Sequence, residues 1–257
     1  MQLSILVPVY NEQDNILPML HEVSAAFSGT DWDWELVYID DASSDATWTR
    51  IAEARQRDAR VRGLRHLRNA GQSAAVWTGI QQTTSPVIAT LDGDLQNNPA
   101  DLPRLLALLG EVDFVCADRS ANRRDSLVRR WSSAIARRAR RFALRHDFRD
   151  TGCALRAFKR ECVAGVPAFN GLHRFLPILV ADGGWKTREI PVSHRPRVAG
   201  VSKYGVWNRL GRGLYDLVGV GWYLKRRLHL PKVEALSPPD NATGASSRPP
   251  GKVQAAG

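Results

Sequence analysis

Cysteine is scarce in this chain, and long apolar runs are missing. Cys116, Cys153 and Cys162 are the only three among 257 residues. Their number is odd and no CxxC or Cys/His ligand spacing joins them, which argues against a disulfide framework or a zinc site and suits a reducing compartment. No segment approaches the ~20 consecutive apolar residues that cross a bilayer. The first apolar run has no cationic leader, contains Pro8 and is followed by Glu12 and Asp14, so it does not read as a signal peptide. The expectation is a cytoplasmic chain, with peripheral contact at the inner face of the membrane left open. No GxGxxG follows the first apolar run and no GxxxxGK[ST] occurs. With neither the dinucleotide fingerprint nor the P-loop, a bound nucleotide would have to be held by carboxylates and a metal.

What is present is positive charge on an otherwise ordinary globular composition. Hydrophobic residues make up 44% and charged residues 24% of the chain, with a net charge of +10. One principal domain with appendages is expected, and anionic partners: nucleic acid, an acidic membrane surface or phosphorylated substrates.

Apolar β-prone runs alternate with helical patterns over the first hundred residues. Leu3-Ser4-Ile5-Leu6-Val7-Pro8-Val9-Tyr10 reads as a buried strand, followed by a helix to Phe27; Glu35-Leu36-Val37-Tyr38-Ile39 is a second strand, with a helix through Arg57. Val61 to Leu67 is a third strand, with a helix opening near Asn69-Ala70-Gly71, and Val87-Ile88-Ala89-Thr90-Leu91 is a fourth. This alternation predicts an α/β fold with parallel pairing, whose ligands bind outside the carboxyl ends of the strands. Tyr10 and Glu12, Asp40 and Asp41, and Asp92 and Asp94 all stand at such ends.

The fourth strand ends in Asp92-Gly93-Asp94-Leu95-Gln96. Residues two apart in a strand point to the same side, and glycine between them lets the backbone turn and approach a ligand. Asp92 and Asp94, with Gln96 as a neutral oxygen donor, can converge on Mg²⁺ or Mn²⁺, cations that take one or two carboxylates plus substrate phosphates. An Asp-Gly-Asp after a strand also serves as a plain solvated turn, and both readings stand at this point.

The ordered blocks Ser4 to Glu12, Asp40-Asp41-Ala42-Ser43-Ser44-Asp45-Ala46-Thr47, Asn69-Ala70-Gly71, Asp92 to Pro99, Asp150 to Arg156, Asn170 to Pro177 and His194 to Gly205 resemble the successive signatures of inverting family 2 glycosyltransferases with the GT-A fold. The nearest subgroup is the polyprenyl-phosphate glycosyltransferases, which includes dolichyl-phosphate mannose synthase. The resemblance covers roughly the first four-fifths of the chain, its specificity lying in the ordered set of blocks. It implies that Pro8, Tyr10, Glu12, Ile39 and Asp41 hold the base and ribose of a nucleotide-sugar donor. Asp92, Gly93 and Asp94, with Gln96, would hold the donor diphosphate and its metal, and Arg119, Arg197 and Lys203 would face the phosphates. Asp92, Asp94, Arg119 and Asp150 are the implied catalytic set. Duller alternatives exist for each: Tyr10 and Ile39 pack, Asp41 caps a helix, the cations are solvated, and Asp150 pairs with arginines. The implied acceptor is a polyprenyl phosphate, undecaprenyl or dolichyl, and the donor GDP-mannose or a UDP-sugar.

Two stretches suggest a lipid surface. Residues 126–145 form a basic amphipathic pattern, either an ordinary surface helix or one that lies in the membrane plane. Trp207 to Leu228 is helical by pattern and closes on Lys225-Arg226-Arg227 beside Trp222 and Tyr223, which suits a headgroup layer. The expected organisation is a transferase domain over 1–205, a membrane-proximal helix over 206–230 and a disordered tail over 231–257. The spanning helices of many lipid-phosphate transferases are not seen, so a small membrane partner subunit is expected. Two rivals remain. One is a family 2 enzyme acting on a saccharide or protein, with Asp150 as its base. The other is a nucleic-acid-binding protein, disfavoured because the arginines are not interleaved with a stacking platform.

Overall fold

The computed structural model describes residues 1–120, 141, 144, 146–193, 195 and 206–228, the last stretch with the side chains of 213 and 215–228. The basic stretch 126–145, apart from Arg141 and Leu144, lies outside the described residues, as do Arg197, Lys203 and the tail 231–257.

Seven strands form one sheet in the order β3-β2-β1-β4-β6-β5-β7. They are β1 (Gln2–Val9), β2 (Asp33–Asp40), β3 (Val61–Arg65), β4 (Val87–Thr90), β5 (Phe114–Asp118), β6 (Arg156–Lys159) and β7 (Thr187–Pro191). β1 pairs in parallel with both β2 and β4, β2 with β3, and β5 with β7, whereas β6 runs antiparallel between β4 and β5. The expected α/β, mostly parallel sheet is therefore present, with one reversed strand.

Both faces of the sheet are covered, which is why its central strands read as unbroken apolar runs. Leu3, Ile5 and Val7 of β1 and Leu36 and Tyr38 of β2 pack with α1 (Ile16–Ala26), α2 (Thr47–Arg57) and the short α4 (Leu102–Ala107). The alternate residues Leu6, Val37, Ile39 and Ile88 pack on the other face, against α3 (Gln72–Gln81) and α5 (Leu172–Asp182). Ser4 falls on this second face and is satisfied by donating its hydroxyl to Glu35 at 2.6 Å. All three cysteines are free and buried. Burial raises the thiol of Cys153 to about 11 and that of Cys162 to about 12, so neither forms a thiolate at neutral pH.

A last helix, α6 (Val206–Arg226), lies against the second face. Val220 is buried there, with Leu217, Tyr223 and Leu224 packed beside it. Asp216 accepts from Arg174 at 2.8 Å and sits over the first turn of α5. Gly171, whose φ of 102° favours glycine, leaves room for that carboxylate: a side chain there would meet Asp216 Oδ2 at 2.8 Å. The opposite face of α6 exposes Tyr215 (81%), Val218 (67%) and Trp222 (66%). No helix among the described residues is long and apolar enough to cross a membrane.

Candidate active site

The chain leaves β1 for β2 and β3 on one side, then returns to β4 on the other. The switch point is the gap between β1 and β4, where open α/β sheets take ligands at the carboxyl ends of their strands. The backbone is strained around it. Asn11, Ala42 and Leu95 have φ values of 55°, 60° and 59°, and each lies in the loop just after β1, β2 or β4. Left-handed conformations at non-glycine residues cost free energy that the surroundings must offset, and they gather at functional sites.

Those surroundings are hydrogen bonds between the loops. The Asn11 backbone N–H donates to Ser43 Oγ (2.9 Å), the Ser44 N–H to Asn11 Oδ1 (2.8 Å) and the Glu12 N–H to Thr47 Oγ1 (2.9 Å). Asp40, fully buried, accepts from the Ser43 N–H at 2.9 Å and faces Arg65 at 3.2 Å. The first two acidic loops are thus stitched into one wall. Asp41 adds the loop before α3: it accepts from the N–H groups of Ala70 (2.8 Å) and Gly71 (2.7 Å), and its Oδ1 lies 2.7 Å from His66 Nδ1. A carboxylate has about four acceptor sites, so Asp41 is largely committed to fixing this loop, closest to the capping alternative. Pro8 is half-buried at the end of β1 and Tyr10 is 37% exposed beside it. Ile39 departs from its implied role. Its side chain is wholly buried against the floor of α3, within 3.0 Å of where a side chain at Gly79 would begin, and it packs rather than faces a ligand.

β4 delivers Asp92 and Asp94 to the other side of the gap. Gly93 is required by close approach: a Cβ there would stand 2.7 Å from Val9 and 3.2 Å from the Pro8 carbonyl oxygen. Asp92 accepts from Gln72 Nε2 at 2.7 Å, and Asp94 Oδ1 accepts from the Gln96 N–H at 3.2 Å. Desolvation first, then the neighbouring charge of Asp94, pushes the Asp92 carboxyl up to about 6, with Arg119 and Arg156 acting against both. Two carboxylates that repel each other in a desolvated loop, with an amide two residues on, are an oxygen donor set that a hard divalent cation fits. Among the described residues no group of three or more His, Cys, Asp or Glu could hold a metal; the donors expected from the sequence are Asp92, Asp94 and Gln96.

Arg119 and Asp150 meet behind this loop. Arg119 Nε lies 2.8 Å from Asp150 Oδ2 and its Nη2 lies 3.2 Å from Oδ1, a two-point pair with side chains only 10% and 11% exposed. Although burial favours the neutral form, the Asp150 contact raises the Arg119 pKa, and the guanidinium keeps its charge. Of the readings open for Asp150, the structure realises the pairing with an arginine. Arg195 brings the next segment to the same place: its N–H donates to the Gln96 carbonyl at 3.0 Å and its guanidinium holds Glu22 at 2.8 Å.

Sequence reasoning passed over four residues that the fold gathers here. Arg156 is buried on β6 and donates to the Thr151 carbonyl at 2.9 Å, while its Nε has no hydrogen-bond partner among the described residues. Gln72 reaches Asp92, and Ser73 meets His173 at 2.6 Å. Arg156 and His173 sat inside blocks singled out by resemblance, but nothing local told them from their neighbours.

Residues 4–165 match the family described as Glycosyl transferase family 2. The undecaprenyl-phosphate 4-deoxy-4-formamido-L-arabinose transferase of Salmonella paratyphi A is 35% identical over 218 residues, 84% of this chain and 66% of that protein. The chain thus spans just under two thirds of that relative's length. Two solved structures share the fold at low identity. Mannosyl-3-phosphoglycerate synthase from Rubrobacter xylanophilus has a TM-score of 0.65 at 15% identity, over 92% of this chain and 79% of its own. Glucosyl-3-phosphoglycerate synthase from Mycobacterium tuberculosis, in complex with Mn²⁺, uridine diphosphate and phosphoglyceric acid, has a TM-score of 0.64 at 18% identity, over 86% and 77%. The architecture is GT-A.

Proposed function

We propose, for a chain that belongs to glycosyl transferase family 2, an inverting transfer of a hexose-type sugar from a UDP- or GDP-sugar to a polyprenyl phosphate at the cytoplasmic face of a membrane. The observation that carries this reading is the placing of Asp92 and Asp94 at the β1/β4 switch point, with the buried Arg119–Asp150 pair behind them. The acceptor class is supported by the relative named as an undecaprenyl-phosphate sugar transferase.

The wall formed by Pro8, Tyr10, Glu12 and the loop fixed by Asp41 takes the nucleoside. Asp92, Asp94 and Gln96 would hold Mg²⁺ or Mn²⁺, which would supply charge neutralisation and Lewis-acid assistance worth several kcal/mol. Arg119 adds fixed positive charge near the same loop, where its field also favours ionised Asp92. Arg197 and Lys203 are assigned to the phosphates by resemblance alone. A phosphate acceptor is already an anion at neutral pH, so no residue need deprotonate it. That agrees with an Asp150 whose carboxylate is engaged by Arg119 instead of standing as a base.

The test is direct. Purified protein is incubated with Mg²⁺ or Mn²⁺, undecaprenyl or dolichyl phosphate, and a panel of UDP- and GDP-sugars, and lipid products are read by mass spectrometry. One lipid-linked sugar is expected. No product from any donor, or transfer to a saccharide without lipid, overturns the reading.

The solvent face of α6 supports membrane placement. Tyr215, Val218 and Trp222 recur at helical spacing on its solvent side, and Lys225 and Arg226 close the last turn. Aromatics with cations at one end suit an anionic headgroup layer. Replacing Tyr215 and Trp222 together by Ser is expected to weaken co-sedimentation with phosphatidylglycerol vesicles about tenfold or more, since each ring contributes on the order of 1.5–3 kcal/mol when fully buried. Unchanged partitioning would remove α6 as the docking face.

A further inference from the structure

We infer that Gln72 is a positioning residue for Asp92, and that a buried knot of Ser73, Gly171 and His173 holds it in place. Gln72 is the first residue of α3, and its Nε2 donates to Asp92 Oδ1 at 2.7 Å. It is itself exposed. A long exposed amide keeps a single rotamer only at a cost in side-chain entropy, so its aim depends on how firmly its backbone is held.

The backbone is held at the next residue. Ser73 is 4% exposed, and its hydroxyl oxygen accepts from the Gly171 N–H at 2.9 Å and lies 2.6 Å from His173 Nδ1. The hydroxyl has one proton and two acceptor sites, so beside the Gly171 N–H it either accepts from Nδ1–H or donates to a bare Nδ1, according to the His173 tautomer. Both arrangements are open to a neutral ring. Burial, with Arg156 and Arg174 nearby, lowers the His173 pKa to about 3, so the knot persists at every working pH.

The same knot brings the N-terminal ends of α3 and α5 together. Two such ends carry partial positive charge and repel unless anions lie close. The fold supplies Asp216 over the start of α5, and Asp92 accepts from the side chain of Gln72, the first residue of α3. Gln72 is therefore the link between a helix terminus that favours an anion and the carboxylate assigned to the metal. Groups that orient a metal ligand in this way commonly matter 10–100-fold in metal affinity.

The inference rests on the reading of Asp92 as a metal ligand, and one experiment separates the two. Mn²⁺ alone is titrated into the full chain and free Mn²⁺ is read by electron paramagnetic resonance, for the unaltered protein and for Asp92→Asn, Gln72→Ala, Ser73→Ala and the Gln72→Ala/Ser73→Ala double variant. Asp92→Asn is expected to abolish binding. Gln72→Ala is expected to weaken it about tenfold with the melting temperature unchanged, because the side chain is exposed. Ser73→Ala is expected to weaken it too, and the double variant to be no worse than Gln72→Ala, since both act through one contact. If Asp92→Asn loses Mn²⁺ while Gln72→Ala binds as tightly as the unaltered protein, this inference is overturned and the metal reading survives. If Asp92→Asn binds normally, both fall. A Ser73→Ala protein that melts earlier yet keeps full affinity would reduce the knot to a structural role.

Discussion

Asp94→Asn is expected to lower turnover by about three orders of magnitude while the protein stays folded and melts no earlier than the unaltered chain. The size follows from the chemistry assigned to the loop. Lewis-acid assistance to a leaving diphosphate is worth several kcal/mol, and about 1.36 kcal/mol corresponds to each factor of ten in rate. The stability half of the expectation comes from the apo geometry. Asp94 is one of the causes that push Asp92 above the usual carboxylate range, so removing its charge relieves a repulsion. The amide keeps the size of the side chain, and its oxygen can still accept from the Gln96 N–H, now at 3.2 Å. Activity and stability moving in different directions is what a site held at a cost to the fold gives. Steady-state assay with the identified donor and calorimetry at neutral pH check both halves. Near-normal turnover would sink the metal assignment, and a large drop in melting temperature would mean that Asp94 is structural.

The first four strands and the helices between them were legible because β1, β2 and β4 are apolar runs buried on both faces and each of the four ends in polar or charged residues. Leu3 to Val9 could hardly be anything else once Asn11 and Glu12 stop it. Of the later half, the last helix was legible, Trp207 to Leu228 against Val206–Arg226, but the strands between were not, for a physical reason. β6 is four residues long, begins with the buried Arg156 and pairs antiparallel with β4, Val87 opposite Lys159. A charge at the head of a short run hides the apolar alternation, and a partner so distant in sequence leaves no local signal. The site divides in the same way. Asp92 and Asp94 announce themselves by spacing, whereas the Gln72–Asp92 and Ser73–His173 contacts exist only because the sheet carries the N-terminal ends of α3 and α5 to one place. Asp41 shows a third outcome: it was found in sequence, and its carboxylate secures the N–H groups of Ala70 and Gly71 while its backbone carbonyl accepts from Asn69. Ile39 was carried along by the block it stands in, although its apolar side chain belongs to the core.

Arg119→Met and Asp150→Leu are each expected to destabilise the fold by about 3–5 kcal/mol, and the double variant by much less than their sum. Removing one partner of a buried ion pair leaves the other desolvated and uncompensated, while replacing both by apolar groups of similar volume is often close to neutral. The pair has the geometry for this, two contacts at 2.8 and 3.2 Å with both side chains about nine-tenths buried. Denaturant melts of the four proteins give the coupling directly, and additive losses would show the pair to be energetically idle. The same variants decide what Asp150 does. If it only secures Arg119, the double variant refolds but loses turnover as Arg119→Met does, because the charge near Asp92 is gone in both. Arg119→Lys then restores little, since an ammonium cannot make the two-point contact. If instead Asp150 is a base, Asp150→Asn keeps an intact fold, loses transfer to a hydroxyl acceptor and gains a pH–rate profile with one ionisation fewer. A polyprenyl phosphate acceptor is already an anion at neutral pH and needs no base, so an unchanged pH–rate profile in Asp150→Asn is the expected result.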